Sequence, residues 1–222
     1  MTTTTLERPS YDPATAEDFA GRVGDILNAG ATAAMMAIGH RLGLFDALAG
    51  LPPATSREIA DKADLAERYV REWLAVMVVS KIVTYDPTTR RYRLPAEHAA
   101  CLTRTAPLGN FAVYTQHVSL LGKIEEQVIR CFETGDGMAY GDYPCFHQIM
   151  AEDSGQTVVA GLFESILPLV EGIAARLEAG IDVLDAGCGR SEARRPRISR
   201  AGSFWSCTAS KLVTRSQAPG AA

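Results

Sequence analysis

The amino-acid sequence predicts a mainly helical chain with one β-hairpin and, late in its length, the opening strand of an α/β domain. Three observations predict this. Apolar residues recur at helical spacing over much of residues 15–180, the β-rich run KIVTYDPTTRRYRL falls at 81–94, and a short apolar strand at 181–184 enters a glycine-rich turn.

The elements follow in order. Thr15 to Asp18 fits a capping box, and a helix is expected from there to about Leu27. Met35, Ile38, Leu42 and Phe45 recur at spacings of 3, 4 and 3, giving a second helix one apolar face. The breaker GLPPAT follows, and Thr55-Ser56-Arg57-Glu58 is a capping box that opens a short helix to about Ala63. Asp64 and Glu67 open another helix, on which Val70, Trp73, Leu74, Met77 and Val78 form a wide apolar stripe. Two β-rich segments then flank the turn signal Asp86-Pro87. Short helix, turn, longer helix and hairpin is the order of a winged helix-turn-helix.

Residues 101–180 are expected to be mostly helical. The clearest element is 157–178, where Val159, Leu162, Ile166, Leu169, Ile173 and Leu177 keep helical spacing and Pro168 predicts a kink. Gly180 fits the C-cap, and Ile181 to Leu184 read as a buried strand.

Composition narrows the function classes. The 222 residues are 47% apolar and 22% charged, ordinary for a soluble protein with ample core material. No apolar run is long enough to span a membrane, and MTTTTLERPS lacks the basic and apolar regions of a secretory signal. Cys101, Cys131, Cys145, Cys188 and Cys207 are scattered without CxxC spacing, so reduced thiols in the cytoplasm are expected, with no metal site. Net charge is −4, too small to imply a polyanionic partner. From Ser191 onward, however, six basic residues accompany only Glu192, which leaves the first 190 residues at −9.

The chemistry-bearing motif is VLDAGCG at 183–189. Glycine lets the backbone turn sharply from strand to helix and leaves room for a ligand against the main chain. The N–H groups at such a turn attract negative groups. This run resembles the first motif of class I S-adenosylmethionine-dependent methyltransferases, and the stretch 141–189 resembles a bacterial branch whose members carry an N-terminal winged-helix domain. The resemblance covers roughly residues 15–190. It implies that Asp185, Gly187, Cys188 and Gly189 lie against the methionine part of S-adenosyl-L-methionine. It also implies a winged-helix and dimerisation domain at 15–104 after a disordered lead at 1–14. A helical linker over the active site would occupy 105–180, and a Rossmann-like methyltransferase domain would start at 181–190. The implied acceptor is a small molecule, and a homodimer through the N-terminal helices is expected.

The sequence departs from the family after the motif. Ser191 replaces the third glycine, and no Asp or Glu follows Glu192 to hold the ribose hydroxyls. Residues 191–222 show no sustained helical period and read as a non-family, disordered tail. Motif, charge and pattern break together, which points to a reading frame lost after Gly189 or Arg190; a genuine basic tail is the rival account. The expected consequence is a truncated catalytic domain that neither binds cofactor tightly nor turns over.

A winged-helix DNA-binding regulator is the alternative function. Arg68 and Arg71 lie on the longer helix beside Glu67 and Glu72, and Arg90, Arg91 and Arg93 form a modest basic wing. The helix reads as a packing element rather than a groove reader. O-methylation needs a proton removed from a hydroxyl, which makes histidine a conceivable base. His117 and His147 fall in the linker with Tyr140, Tyr143 and Phe146, the pocket candidates, whereas His40 and His98 read as ordinary core or surface residues. Met35 and Met36 are core positions, and Cys188 is a small packed side chain rather than a nucleophile.

Overall fold

A computed structural model describes residues 11–180. The described residues are mostly helical, with one two-stranded sheet, and fall into two compact units divided between Ala99 and Ala100. The lead at 1–10, the strand and motif at 181–190 and the tail at 191–222 lie outside the described residues.

In the first unit, α1 (Pro13–Arg41) is one helix of 29 residues, where the sequence suggested two. It starts two residues before the expected N-cap. Asp12 wins the cap because its carboxylate accepts the backbone N–H groups of Ala14 and Thr15, both at 3.3 Å, and the Thr15 hydroxyl at 2.6 Å. Pro13 adds a pre-set φ at the first helical position. No breaker interrupts the chain until Gly43, whose φ of +71° ends the helix region. This turn splits the expected apolar face. Phe45 is buried on α2 (Leu44–Ala49), while Ile38 and Leu42 stay exposed.

Thr55 and Glu58 form the expected capping box on α3 (Ser56–Ala63): Thr55 N–H donates to Glu58 Oε2 at 2.7 Å, and Glu58 N–H donates to Thr55 Oγ1 at 3.3 Å. Asp64 does not open the next helix; it closes α3 in the left-handed region at φ +54°. α4 (Glu67–Val79) buries Val70, Trp73, Leu74 and Met77. Trp73 is the keystone of this unit. Its ring meets Phe45 edge-on at 5.3 Å, and its Nε1–H donates to the Met35 carbonyl of α1 at 2.8 Å.

β1 (Thr84–Asp86) pairs antiparallel with β2 (Arg91–Arg93), with Tyr85 opposite Tyr92. Asp86 holds the turn by accepting from Thr88 N–H at 2.9 Å and the Thr89 hydroxyl at 2.6 Å. Ala54 extends this wing by exchanging two backbone hydrogen bonds with Tyr92, at 2.9 and 2.7 Å.

α5 (Ala96–Leu102) crosses the division between the units. In the second unit, α6 (Ala112–Thr134) ends at Gly135, φ +78°, and packs on α7 (Phe146–Ser154). Val113, Leu120, Ile124 and Ile149 are buried here. The single kinked helix expected at 157–178 is instead a change of winding. α7 runs into π-helical turns at Gly155–Val159 and Leu162–Ile166, then a 3-10 turn at Leu167–Leu169. Pro168 accounts for the break at Leu162–Leu169, since it has no N–H and its ring crowds the carbonyl four residues earlier. Gly172, φ +70°, then starts α8 (Ile173–Glu178), and Gly180, φ +85°, follows it as the expected C-terminal glycine. Val159, Leu162, Ile173 and Leu177 are half-buried, whereas Ile166 and Leu169 remain exposed.

Candidate functional site

Asp185, Gly187, Cys188 and Gly189 lie outside the described residues, so the described part of the candidate site is the helical unit that leads into them. Gly180 is the last residue described, and its left-handed conformation closes α8 three positions ahead of the motif in sequence.

The pocket candidates form a cluster. Cys145, at φ +61°, turns the chain into α7 and places Phe146 between two tyrosines. The Phe146 ring lies 5.6 Å from Tyr140 and 5.6 Å from Tyr143, and the ring of His147 lies 6.0 Å from Phe146. Tyr140 and His147 are exposed, while Tyr143 and Phe146 are half-buried. His117 stands apart on α6, half-buried, and is not one of these stacked rings. The other histidines are structural: His40 is buried, and His98 donates through Nδ1 to the Ile82 carbonyl at 2.7 Å. Met35 and Met36 are half-buried on α1. Cys101, Cys131 and Cys145 carry free thiols, and the described residues contain no group of three metal-ligating side chains.

The sequence did not reveal the polar clasp between the start of α6 and the helix after α7. Gln156 grips the main chain of buried Asn110 at both ends, accepting its N–H at 2.8 Å and donating to its carbonyl at 3.2 Å. Asn110 Oδ1 in turn accepts the Ala112 N–H at 3.0 Å, which caps α6 from the residue before its formal N-cap. Buried Gln116 donates to Glu152 at 2.8 Å. Burying polar groups is costly unless they are paired, and here the Gln156 and Gln116 bonds tie α6 and the residues before it to the α7 arm. The one local signal was Gly109-Asn110 ahead of an apolar helical run.

On the winged-helix unit, the arginines that could reach phosphates are partly engaged. Arg91 donates to Glu58 at 3.1 Å and to the Pro53 carbonyl at 2.7 Å, locking the wing to α3. Arg71 faces Glu67 at 3.4 Å, and Glu67 also accepts the Ser56 hydroxyl at 2.7 Å. The backbone N–H and hydroxyl of Thr55, ahead of Arg91, hold the Glu58 carboxyl below its usual range. The Thr89 hydroxyl and Thr88 N–H do the same for Asp86.

Residues 30–104 match the family model described as the Rv2258c-like winged HTH domain, so this part of the chain is a winged helix-turn-helix. The structure is similar to mitomycin 7-O-methyltransferase MmcR, with a TM-score of 0.52 and 17% identity over 67% of this chain and 47% of that one. Human N-acetylserotonin methyltransferase, solved in complex with SAM, has a TM-score of 0.48 and 16% identity, covering 70% of this chain and 50% of its own. CalO1, a methyltransferase in calicheamicin biosynthesis solved with SAH, has a TM-score of 0.48 and 16% identity, covering 68% and 47%. The chain thus spans about half the length of these structures, and at 17% identity the likeness to mitomycin 7-O-methyltransferase is one of fold. No curated protein matches the chain. No helix among the described residues is long and apolar enough to cross a membrane.

Proposed function

We propose that this chain is the winged-helix and linker half of a class I S-adenosylmethionine-dependent methyltransferase that acts, in the cytoplasm, on a small-molecule acceptor. The observation that carries this reading is the sequence VLDAGCG at 183–189, which follows α8 and its left-handed Gly180 in the chain. The fold likeness to mitomycin 7-O-methyltransferase supports it. Asp185 and the main chain of Gly187, Cys188 and Gly189 would hold the methionine part of the cofactor, which when bound supplies the methyl group. The chain's own contribution is to position acceptor and donor in line, the main source of rate in such a transfer. Tyr140, Tyr143 and Phe146 offer apolar, stackable surface for an acceptor, and His147 beside them offers a nitrogen that can take a proton. Residues 15–104 serve dimerisation and 105–180 roof the site, so the protein works as a homodimer. DNA binding is disfavoured because Arg71 and Arg91 are engaged by carboxylates.

Within its 222 residues the chain carries no acidic residue after Glu192. Loss of a charged ribose contact costs on the order of 1.5–3 kcal/mol, about one to two decades in affinity. Calorimetric titration of the 222-residue chain with S-adenosylmethionine should show no micromolar binding. A chain continued beyond Arg190 with an intact α/β sheet should bind, and Gly187→Ala in that longer chain should weaken binding. Micromolar affinity in the 222-residue chain would sink the half-site account; a folded, extended chain that ignores the cofactor would sink the methyltransferase reading.

A further inference from the structure

α6 carries two apolar faces, and its unit covers only one. Val113, Leu120 and Ile124 are buried, whereas Phe111, Tyr114, Val118, Leu121, Ile129 and Phe132 are exposed, Leu121 by 62% and Phe132 by 87%. At about 100° per residue, these six and Glu125 fall within an arc of about 80°. They leave on the order of 600 Å² of apolar surface open, the upper end of what a monomer exposes. The stripe has two halves. Over 111–121 it contains no Asp, Glu, Lys or Arg. Farther along, Glu125 lies within the stripe, and Glu126 and Glu133 run along one edge, all three exposed. Lys123 and Arg130 sit roughly 100° beyond that edge, on another side of the helix.

One segment of the same chain complements both halves. In residues 194–205, Arg194, Arg195, Arg197 and Arg200 come first, and Phe204 and Trp205 follow. Laid antiparallel to α6, this segment sets its arginines over Glu133, Glu126 and Glu125 and its aromatic pair over the uncharged half. The arginines then also lie toward the negative, C-terminal end of the helix. The lengths agree: the stripe runs about 32 Å along the helix, and twelve extended residues span roughly 36 Å. Net charge agrees as well. Residues 100–180 carry ten acidic against four basic residues, while the chain from Ser191 onward has six basic residues and one acidic. The 13 intervening residues, 181–193, reach up to ~43 Å and hold the segment at an effective concentration on the order of millimolar.

We propose that residues 194–205 dock on the exposed stripe of α6 in the same chain, with the arginines on Glu125, Glu126 and Glu133 and with Phe204 and Trp205 on the half around Tyr114 and Val118. A segment without a pattern of its own is ordered only by such a contact, and the tether lowers the entropy lost in making it. The docking does not depend on the methyltransferase reading, since it uses neither the motif at 183–189 nor the ring cluster around Phe146.

The test is the rate of tryptic cleavage after Arg197 and Arg200 in the full 222-residue chain, followed by mass spectrometry. A free peptide of residues 191–222 gives the unprotected rate, and far-UV circular dichroism confirms that each variant stays folded. The native chain should be cut at least tenfold more slowly than the peptide. Leu121→Glu with Phe132→Glu, both on exposed positions, should bring the rate close to that of the peptide. Glu126→Gln with Glu133→Gln should raise it several-fold, as should a change from 0.05 to 0.5 M salt, which screens exposed charges. A native chain cut as fast as the peptide overturns the docking. So does protection that survives the Leu121→Glu and Phe132→Glu pair. Protection that fades on hundredfold dilution overturns docking within one chain and assigns the stripe to a second copy. Protection indifferent to both the glutamine pair and salt overturns the placement of the arginines.

Discussion

Gly39 is where a single methyl group should cost the winged-helix unit most. It sits in the last turns of α1, where a Cβ would fall against Trp73 Cζ2 and within 2.7 and 2.8 Å of Cε2 and Nε1. Trp73 is only 2% exposed and is held by Phe45 and by its bond to Met35, so it has little room to retreat. In an open helix, glycine to alanine stabilises by about 1 kcal/mol. Here overpacking costs about 1–3 kcal/mol, and straining the buried indole bond adds roughly 0.5–1.5 kcal/mol. The two penalties outweigh the propensity gain, so Gly39→Ala should destabilise by roughly 0.5–3.5 kcal/mol. Gly24, with nothing within 4 Å of its would-be Cβ, supplies the control. Urea titration followed by Trp73 fluorescence, in a Trp205→Phe background, separates the two. With a slope of about 1–3 kcal/mol per molar, Gly39→Ala should lower the midpoint by roughly 1 M, while Gly24→Ala should raise it slightly. If both substitutions stabilise alike, the close packing of Trp73 on α1 is refuted.

Three further outcomes follow from local geometry. Thr55→Ala removes one half of the α3 capping box and should cost about 1 kcal/mol in the same titration. Because Glu58 and Asp86 are held below their ordinary values in the folded state, their contribution is complete above the unfolded value and disappears as pH falls through the folded one. The denaturation midpoint should therefore decline on acidification below the usual carboxylate range, and Glu58→Gln should flatten part of that decline. Pro168→Ala restores an N–H to the arm after α7 and should let residues 162–170 wind as α-helix, raising their helical carbon chemical shifts; unchanged shifts would locate the cause of the winding elsewhere.

What was legible in the sequence was whatever closes within a few residues. The Thr55–Glu58 box spans four positions and carries both partners in plain view. The α4 stripe repeats at a fixed period, and Asp86 marks the wing turn through its own neighbours Thr88 and Thr89. Competition between adjacent signals was not legible. Thr15 and Asp12 could each start α1, and Asp12 won by collecting three donors, Thr15 among them. Nor were contacts across long separations. The Trp73 bond to Met35 spans 38 residues and the Gln156 clasp on Asn110 spans 46, and neither leaves a periodic trace. The arm after α7 failed for a different reason. Its apolar spacing encodes an α-helix, but Pro168 withholds a bond that this spacing assumes, and backbone chemistry overrode the pattern.

The winged helix and the long α1 make different demands on the same helix. Its C-terminal third lies under Trp73, with Ala37, Gly39 and His40 buried. Most of the preceding turns are open to solvent on every side. A helix segment of that length is only marginal by propensity, and Gly21, Gly24 and Gly30 each weaken it further by about 1 kcal/mol. Asp12 and the docked C-terminal end can hold the segment in register, but neither gives Phe19, Ile26 or Leu27 anything to bury against. Selection for the winged helix alone would favour polar residues and alanine there. Phe19, Ile26 and Leu27 therefore stand open to solvent on a segment that its two ends hold and its middle does not.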